Sequence, residues 1–195
     1  MSVTPADTTD VETSVGLARV HLHRGGRPLL VLGHGAGGGI DAPDLEAAAS
    51  AAASLGWSVA LVEQPWRVRD RRIAEAPKRL DAAWLDVLAT LDGTPLVTGG
   101  RSAGARVACR TAAQVGADAV VCLAFPLCPP GRPERSRLPE LEGVGVPVLV
   151  VQGSRDPFGV PPGAHVIDGA DHALNIPGVA AAVRAFLVGQ TQTLT

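Results

Sequence analysis

Tyrosine is absent from the chain, and lysine occurs once, as Lys78. The first absence excludes any mechanism that needs a Tyr general acid. The second excludes a G-K-[S/T] phosphate loop, because the single lysine follows Pro77 and precedes Arg79. It also leaves Schiff-base and pyridoxal-phosphate chemistry with one residue to rest on. Cysteine is scarce: Cys109, Cys122 and Cys128 are odd in number, lack metal-type spacing and read as reduced thiols of a cytoplasmic protein. No apolar run reaches the length of a membrane span. The residues after Met1 are polar through Thr9, without a secretory apolar core. Basic residues number 17 against 19 acidic ones, so the basic excess of a nucleic-acid binder is missing. Charged residues make up 18% and hydrophobic ones 46%, a balance that excludes a disordered chain. The 195 residues suit one globular domain over 1–195, with fraying expected at 1–10 and 189–195.

What is present is a repeating unit. Val11 to His23 alternates loosely and predicts one or two short strands before the turn signal Arg24-Gly25-Gly26. Pro28 to Leu32 is an apolar strand that leads into the glycine-rich stretch Gly33 to Gly39. An Ala-rich helix follows over 43–55, with Asp41 or Asp44 as its cap and Gly56 as its end. Strands are expected over 57–62, 95–98, 119–125, 146–151 and 164–167, and helices over 80–91, 103–115 and 179–188. Continuous apolar strands alternating with helices predict an α/β fold: a mostly parallel central sheet with helices on both faces. Residues 64–79 and 126–142, rich in Pro and Arg, fall outside the repeat. Both follow the carboxyl end of a strand, where open α/β sheets bind ligands, and are candidate pocket walls.

The segment that carries chemistry is Gly100-Arg101-Ser102-Ala103-Gly104, a G-x-S-x-G match between a strand and a helix. A nucleophile on so sharp a turn needs small neighbours, which the glycines and Ala103 supply. A serine hydroxyl needs a base, and the base needs an orienting acid. Asp156 follows the strand at 146–151, and His172 follows the short strand at 164–167, so Ser102, Asp156 and His172 leave the same sheet edge. An oxyanion hole is expected from the Ala103 amide and one from the loop Gly33 to Gly39, Ala36 first and Gly37 second.

The segments GHGAGGG, GGRSAGARVA, VVQGSRDPFG and DHAL resemble the α/β-hydrolase superfamily, and within it the small lidless dienelactone-hydrolase-like group of KANL/Tex-type proteins. The resemblance spans about Ser14 to Leu187. It implies an α/β-hydrolase fold without a cap domain, with Ser102 as nucleophile, Asp156 as acid and His172 as base. Dienelactone hydrolases proper use a cysteine nucleophile where this chain has Ser102, so their substrate is not carried over.

Around this constellation His34, Trp66, Arg101, Phe125 and Phe158 are candidate substrate-pocket residues, with His34 also a brace for the glycine loop. The arginines at 67, 69, 71 and 72 suit an acidic group or a solvated loop equally. Cys128 is a candidate exposed thiol, and Trp57 and Trp84 are core candidates. His21 and His23 share a strand face without a third ligand, so no metal is expected. Gly33, Gly35 and Gly38 also satisfy G-x-G-x-x-G, with Glu63 where a ribose-binding acid belongs, which makes a dinucleotide-binding protein one alternative. A non-catalytic hydrolase-fold interaction protein is another. The expectation is a serine esterase or thioesterase acting on a small acyl substrate without a cofactor. It is expected to be cytoplasmic, a monomer or small homo-oligomer, with neither nucleic acid nor membrane as a partner.

Overall fold

A computed structural model of the protein describes residues 7–71 and 73–193. Eight strands form one sheet: β1 (Asp7–Thr13), β2 (Gly16–His23), β3 (Leu29–Gly33), β4 (Ser58–Glu63), β5 (Leu96–Arg101), β6 (Ala119–Leu123), β7 (Val148–Gly153) and β8 (His165–Ile167). Their spatial order is β1-β2-β4-β3-β5-β6-β7-β8, antiparallel for β1–β2 and β2–β4 and parallel from β4 to β8. The helices are α1 (Pro43–Ser54), α2 (Pro65–Val68), α3 (Pro77–Leu88), α4 (Ala103–Val115), α5 (Leu138–Glu142) and α6 (Val179–Thr193).

The continuous apolar runs form strands because both faces of the sheet are covered. Along β3, every residue is buried, and successive side chains point to opposite sides. Leu30 and Leu32 pack with α1 and α6, while Leu29 and Val31 pack with Trp84 of α3. Trp57 and Trp84 are both in the core, as expected. Among the described residues no cap domain interrupts the sheet, and no helix is long and apolar enough to cross a membrane.

Three expectations need correction. Asp7 to Asp10, expected to fray, pair with Leu22, His21, Val20 and Arg19 as part of β1; residues 1–6 lie outside the described residues. At the other end α6 runs on to Thr193, past the expected end of its helix, and 194–195 lie outside. Neither Asp41 nor Asp44 is the N-cap of α1. That position is Ala42, with Pro43 at the first helical position, where its missing N–H costs nothing. Asp44 is fully buried inside the first turn.

Candidate active site

The parallel strands bring their carboxyl ends to one edge, and the loops that leave it carry the candidate residues. Ser102 sits between β5 and α4 with φ 51° and ψ −105°, a conformation non-glycine residues rarely hold. Its amide donates to the Leu123 carbonyl of β6 at 2.9 Å, which pins the turn. A Cβ on Gly100 or Gly104 would run into the Gly33 carbonyl oxygen. The small residues of the motif therefore admit β3 as a neighbour as well as relieving the turn itself.

His172 Nδ1 lies 2.8 Å from Asp156 Oδ2, and its Nε2 lies 3.1 Å from Ser102 Oγ. A carboxylate only accepts, so Nδ1–H donates to Asp156, and Nε2 is left to accept the Ser102 hydroxyl proton. Asp156 is 7% exposed and its other oxygen, Oδ1, accepts the Phe158 amide at 2.8 Å. The Phe158 ring lies against the His172 imidazole, with centroids 4.4 Å apart. These contacts fix the imidazole plane from one side and its tautomer from the other.

A cleft of about 580 Å³ opens in front of Ser102 and His172, bordered by Ala36, Gly37, Arg101, Phe158 and Asn175. Gly38 N donates to Gly35 O at 3.5 Å, which closes a turn with Ala36 and Gly37 at its exposed tip. Ala103 heads α4, so its amide is among the N–H groups that a helix leaves without an internal partner. Ala36 and Gly37 line the same cleft as Ser102, and Ala103 follows Ser102 directly in the chain.

Other candidates lie elsewhere. Trp66 is 2% exposed and makes an edge contact with His34, at a centroid distance of 5.3 Å. His34 is itself buried: the Gln64 amide donates to its Nε2 at 3.1 Å, and its Nδ1–H donates to Gly35 O at 2.9 Å. Burial pushes its pKa down, which keeps the ring neutral in this bonding pattern. Both residues brace the glycine loop from beneath instead of facing the cleft. Phe125 is fully buried, among residues of α4 and β6. All three lie just past the end of a strand, Trp66 in α2 and His34 and Phe125 in loops, and their side chains turn into the core.

Neither Pro- and Arg-rich segment walls the cleft. Arg69 is spent on Glu75 and the Val15 carbonyl, Arg67 lies beside Gly39 of the glycine loop without lining the cleft, Arg71 does not line it either, and Arg72 lies outside the described residues. Cys128 is half-buried and lies 3.6 Å from the Phe158 carbonyl through its sulfur, so it supports the Asp156 loop from behind. Glu63, the candidate ribose-binding acid, is instead bonded to His21 Nε2 at 2.9 Å. No group of three or more His, Cys, Asp or Glu side chains suited to a metal occurs among the described residues.

One contributor escaped notice in the sequence. Gln152 is fully buried at the end of β7, and its amide donates to Asp156 Oδ2 at 2.8 Å, Phe125 O at 3.2 Å and Gly159 O at 2.9 Å. Three acceptors around one nitrogen leave no room for the flipped amide. The signal available was a lone polar residue ending an apolar strand just before the acid.

Residues 26–177 match the family described as Alpha/beta hydrolase domain, and the chain belongs to that family. Est1E from Butyrivibrio proteoclasticus superposes with a TM-score of 0.79 at 16% identity, over 96% of this chain and 100% of that one. XC6422 from Xanthomonas campestris, described as an a/b serine hydrolase without lid, gives 0.72 at 18% identity over 96% and 94%. A dienelactone hydrolase from Anabaena variabilis gives 0.71 at 17% identity over 96% of each chain. At such identities the likeness is one of fold. No curated protein sequence matches the chain.

Proposed function

We propose that the protein is a serine hydrolase that cleaves a small carboxylic ester or thioester through an acyl-enzyme. The observation that carries this reading is the hydrogen-bonded series from Ser102 Oγ through His172 to Asp156. His172 Nε2 takes the Ser102 proton as Oγ attacks the acyl carbon, and the carbonyl oxygen gains the negative charge. The amides of Ala103 and Ala36 (or Gly37) hold that charge. Asp156 stabilises the imidazolium, which then returns the proton to the departing alcohol or thiol. Water repeats the sequence on the acyl-enzyme and frees the acid and Ser102. The cleft borders on small and apolar groups with Arg101 as its one charged side chain besides the triad, which suits a small uncharged acyl group. No step calls on a cofactor.

A fluorophosphonate probe tests the assignment. It should label the wild-type protein on Ser102, and Ser102→Ala should abolish labelling and the turnover of short 4-nitrophenyl esters and thioesters. His172→Ala should lower the labelling rate by about 10³-fold or more. Equal labelling of wild type and Ser102→Ala would remove Ser102 as the nucleophile. A wild-type protein that neither labels nor turns over any ester would favour the interaction-protein alternative.

A further inference from the structure

We infer that Arg101, held by Asp44, is a positioning residue that fastens the base loop to the nucleophile turn. The inference rests on the proposed hydrolase reading for its catalytic consequence, and on geometry alone for the fastening. Arg101 is the last residue of β5, next to Ser102, and its guanidinium reaches three segments. Its Nη2 donates to the His172 carbonyl oxygen at 2.9 Å. Its Nη1 lies 3.0 Å from where a Cβ at position 35 would stand, so the glycine there is what admits the guanidinium beneath the oxyanion turn. Its Nε lies 3.0 Å from Oδ2 of Asp44 in the first turn of α1, close enough for a charge pair but not aligned as a hydrogen bond.

Asp44 is the unusual partner. It is 0% exposed, and its one aligned hydrogen bond is from the Leu45 amide to Oδ1 at 2.9 Å. A buried carboxylate is costly to keep, and burial raises its pKa to about 6 despite the adjacent guanidinium. A methyl or a leucine would fill such a place more cheaply. What the carboxylate provides is a fixed counter-charge that fixes the direction of the Arg101 fork.

The His172 loop needs such a fastening. It is short and exposed on both sides of the imidazole: Asp171, Ala173, Asn175, Ile176 and Pro177 are all solvent-facing. Leu174 anchors it by burying its side chain, at the cost of a φ of 49°. The Arg101 bond to the His172 carbonyl is the second anchor, on the residue whose ring must stay within reach of Ser102. The same geometry argues against Arg101 as a receiver of an acidic substrate group. Its fork already points at Asp44, the glycine turn and the His172 carbonyl, and Asp44 neutralises its charge.

The test compares wild type with Arg101→Met, Arg101→Lys and Arg101→Met/Asp44→Asn. The double variant removes both charges and guards against a fold lost to an unpaired buried carboxylate. Amide hydrogen exchange of residues 170–175 should quicken about tenfold or more in Arg101→Met, with core strands β3, β5 and β6 unchanged. This readout needs no turnover. With 4-nitrophenyl acetate, kcat should fall about 10- to 100-fold in Arg101→Met and KM should stay within about threefold. Arg101→Lys should restore only part, since an ammonium lacks the planar fork. The double variant should be no slower than Arg101→Met. Unchanged exchange in the 170–175 loop would overturn the fastening. A loss confined to KM for an anionic monosuccinyl ester, with kcat for the acetate intact, would make Arg101 a substrate-binding residue instead. A wild type that fails to label at Ser102 would end the hydrolase reading, while the exchange result would still decide the fastening.

Discussion

Ser102 holds a backbone conformation with a cost of its own. At φ 51° and ψ −105° an L-residue is strained by about 1–3 kcal/mol, and the bond from its amide to Leu123 O is part of what maintains it. Glycine reaches positive φ freely, whereas alanine does not. Comparing Ser102→Gly with Ser102→Ala isolates the backbone, since neither variant keeps the hydroxyl. In ordinary positions the glycine variant is the weaker of the two by about 0.5–1 kcal/mol. Here the order should reverse, with Ser102→Gly the more stable by about 1 kcal/mol and melting about 2–4 °C higher. Calorimetry on both variants reads this directly. A glycine variant that melts below the alanine variant would mean that the turn carries no such strain.

The elements legible in the sequence were those whose apolar runs had only one use. Leu29–Gly33, Ser58–Glu63 and Ala119–Leu123 read as strands because a parallel sheet buries both faces of each. Ser102 and Asp156 were legible as candidates because each follows such a strand, and His172 because it comes next in the order of a serine, an acid and a base, after the short and mostly exposed β8. β1 was missed in its first half because a strand at the sheet edge, exposed over Asp7–Asp10, shows no apolar pattern to read. Trp66 and Phe125 turn away from the cleft because position after a strand does not say which way a side chain points, whereas His34 braces the glycine loop, as its place within that loop suggests. Asp44 was misread for a related reason. An aspartate near a helix start is ordinarily a cap, and only the tertiary approach of Arg101 gives this one a different partner.

That approach sets a pH dependence in the link between α1 and β5. The folded-state pKa of Asp44, about 6, lies above its ordinary value near 3.8. The stability tied to this group is therefore fully present below pH 3.8 and is lost as pH rises through about 6. Two units correspond to about 3 kcal/mol, an order-of-magnitude figure for a fully buried group. Asp44→Asn does not titrate, so its stability relative to wild type should rise between pH 4 and pH 7 by about that amount. Urea unfolding of both proteins across this range measures the slope, free of any constant offset from losing the Arg101 partner. A difference that is flat with pH would mean that Asp44 keeps an ordinary carboxylate pKa in the folded protein. A gain in stability at neutral pH, together with a looser His172 loop, would show the carboxylate to be retained for geometry at a cost in stability.

Across the whole molecule, the site occupies one part of the sheet. Ser102, Asp156, His172 and the glycine loop follow β5, β7, β8 and β3, while β1 lies beyond β2 and β4 at the far edge. β1 pairs with β2 alone, and Val11 is its one apolar side chain packed against the core. Its ion pairs, Asp10 with Arg19 and Asp7 with Arg24, are solvent-exposed and worth little. The next residues bind the body of the protein without it: Ser14 donates to Asp86 of α3 through amide and hydroxyl, both at 2.7 Å, and Val15 is buried. Removing residues 1–13 should therefore leave a folded protein whose fluorophosphonate labelling rate stays within about twofold of wild type, while the melting temperature falls by about 2–6 °C. The newly exposed edge of β2 should raise the tendency to self-associate, visible by light scattering at high concentration. Loss of labelling in a truncated protein that still melts cooperatively would show that the far edge of the sheet does hold the site in shape. The intact glycine loop, β3 and β4 make the opposite outcome the expected one, since every contact that sets the Ser102–His172–Asp156 geometry lies on the β3 side of β2.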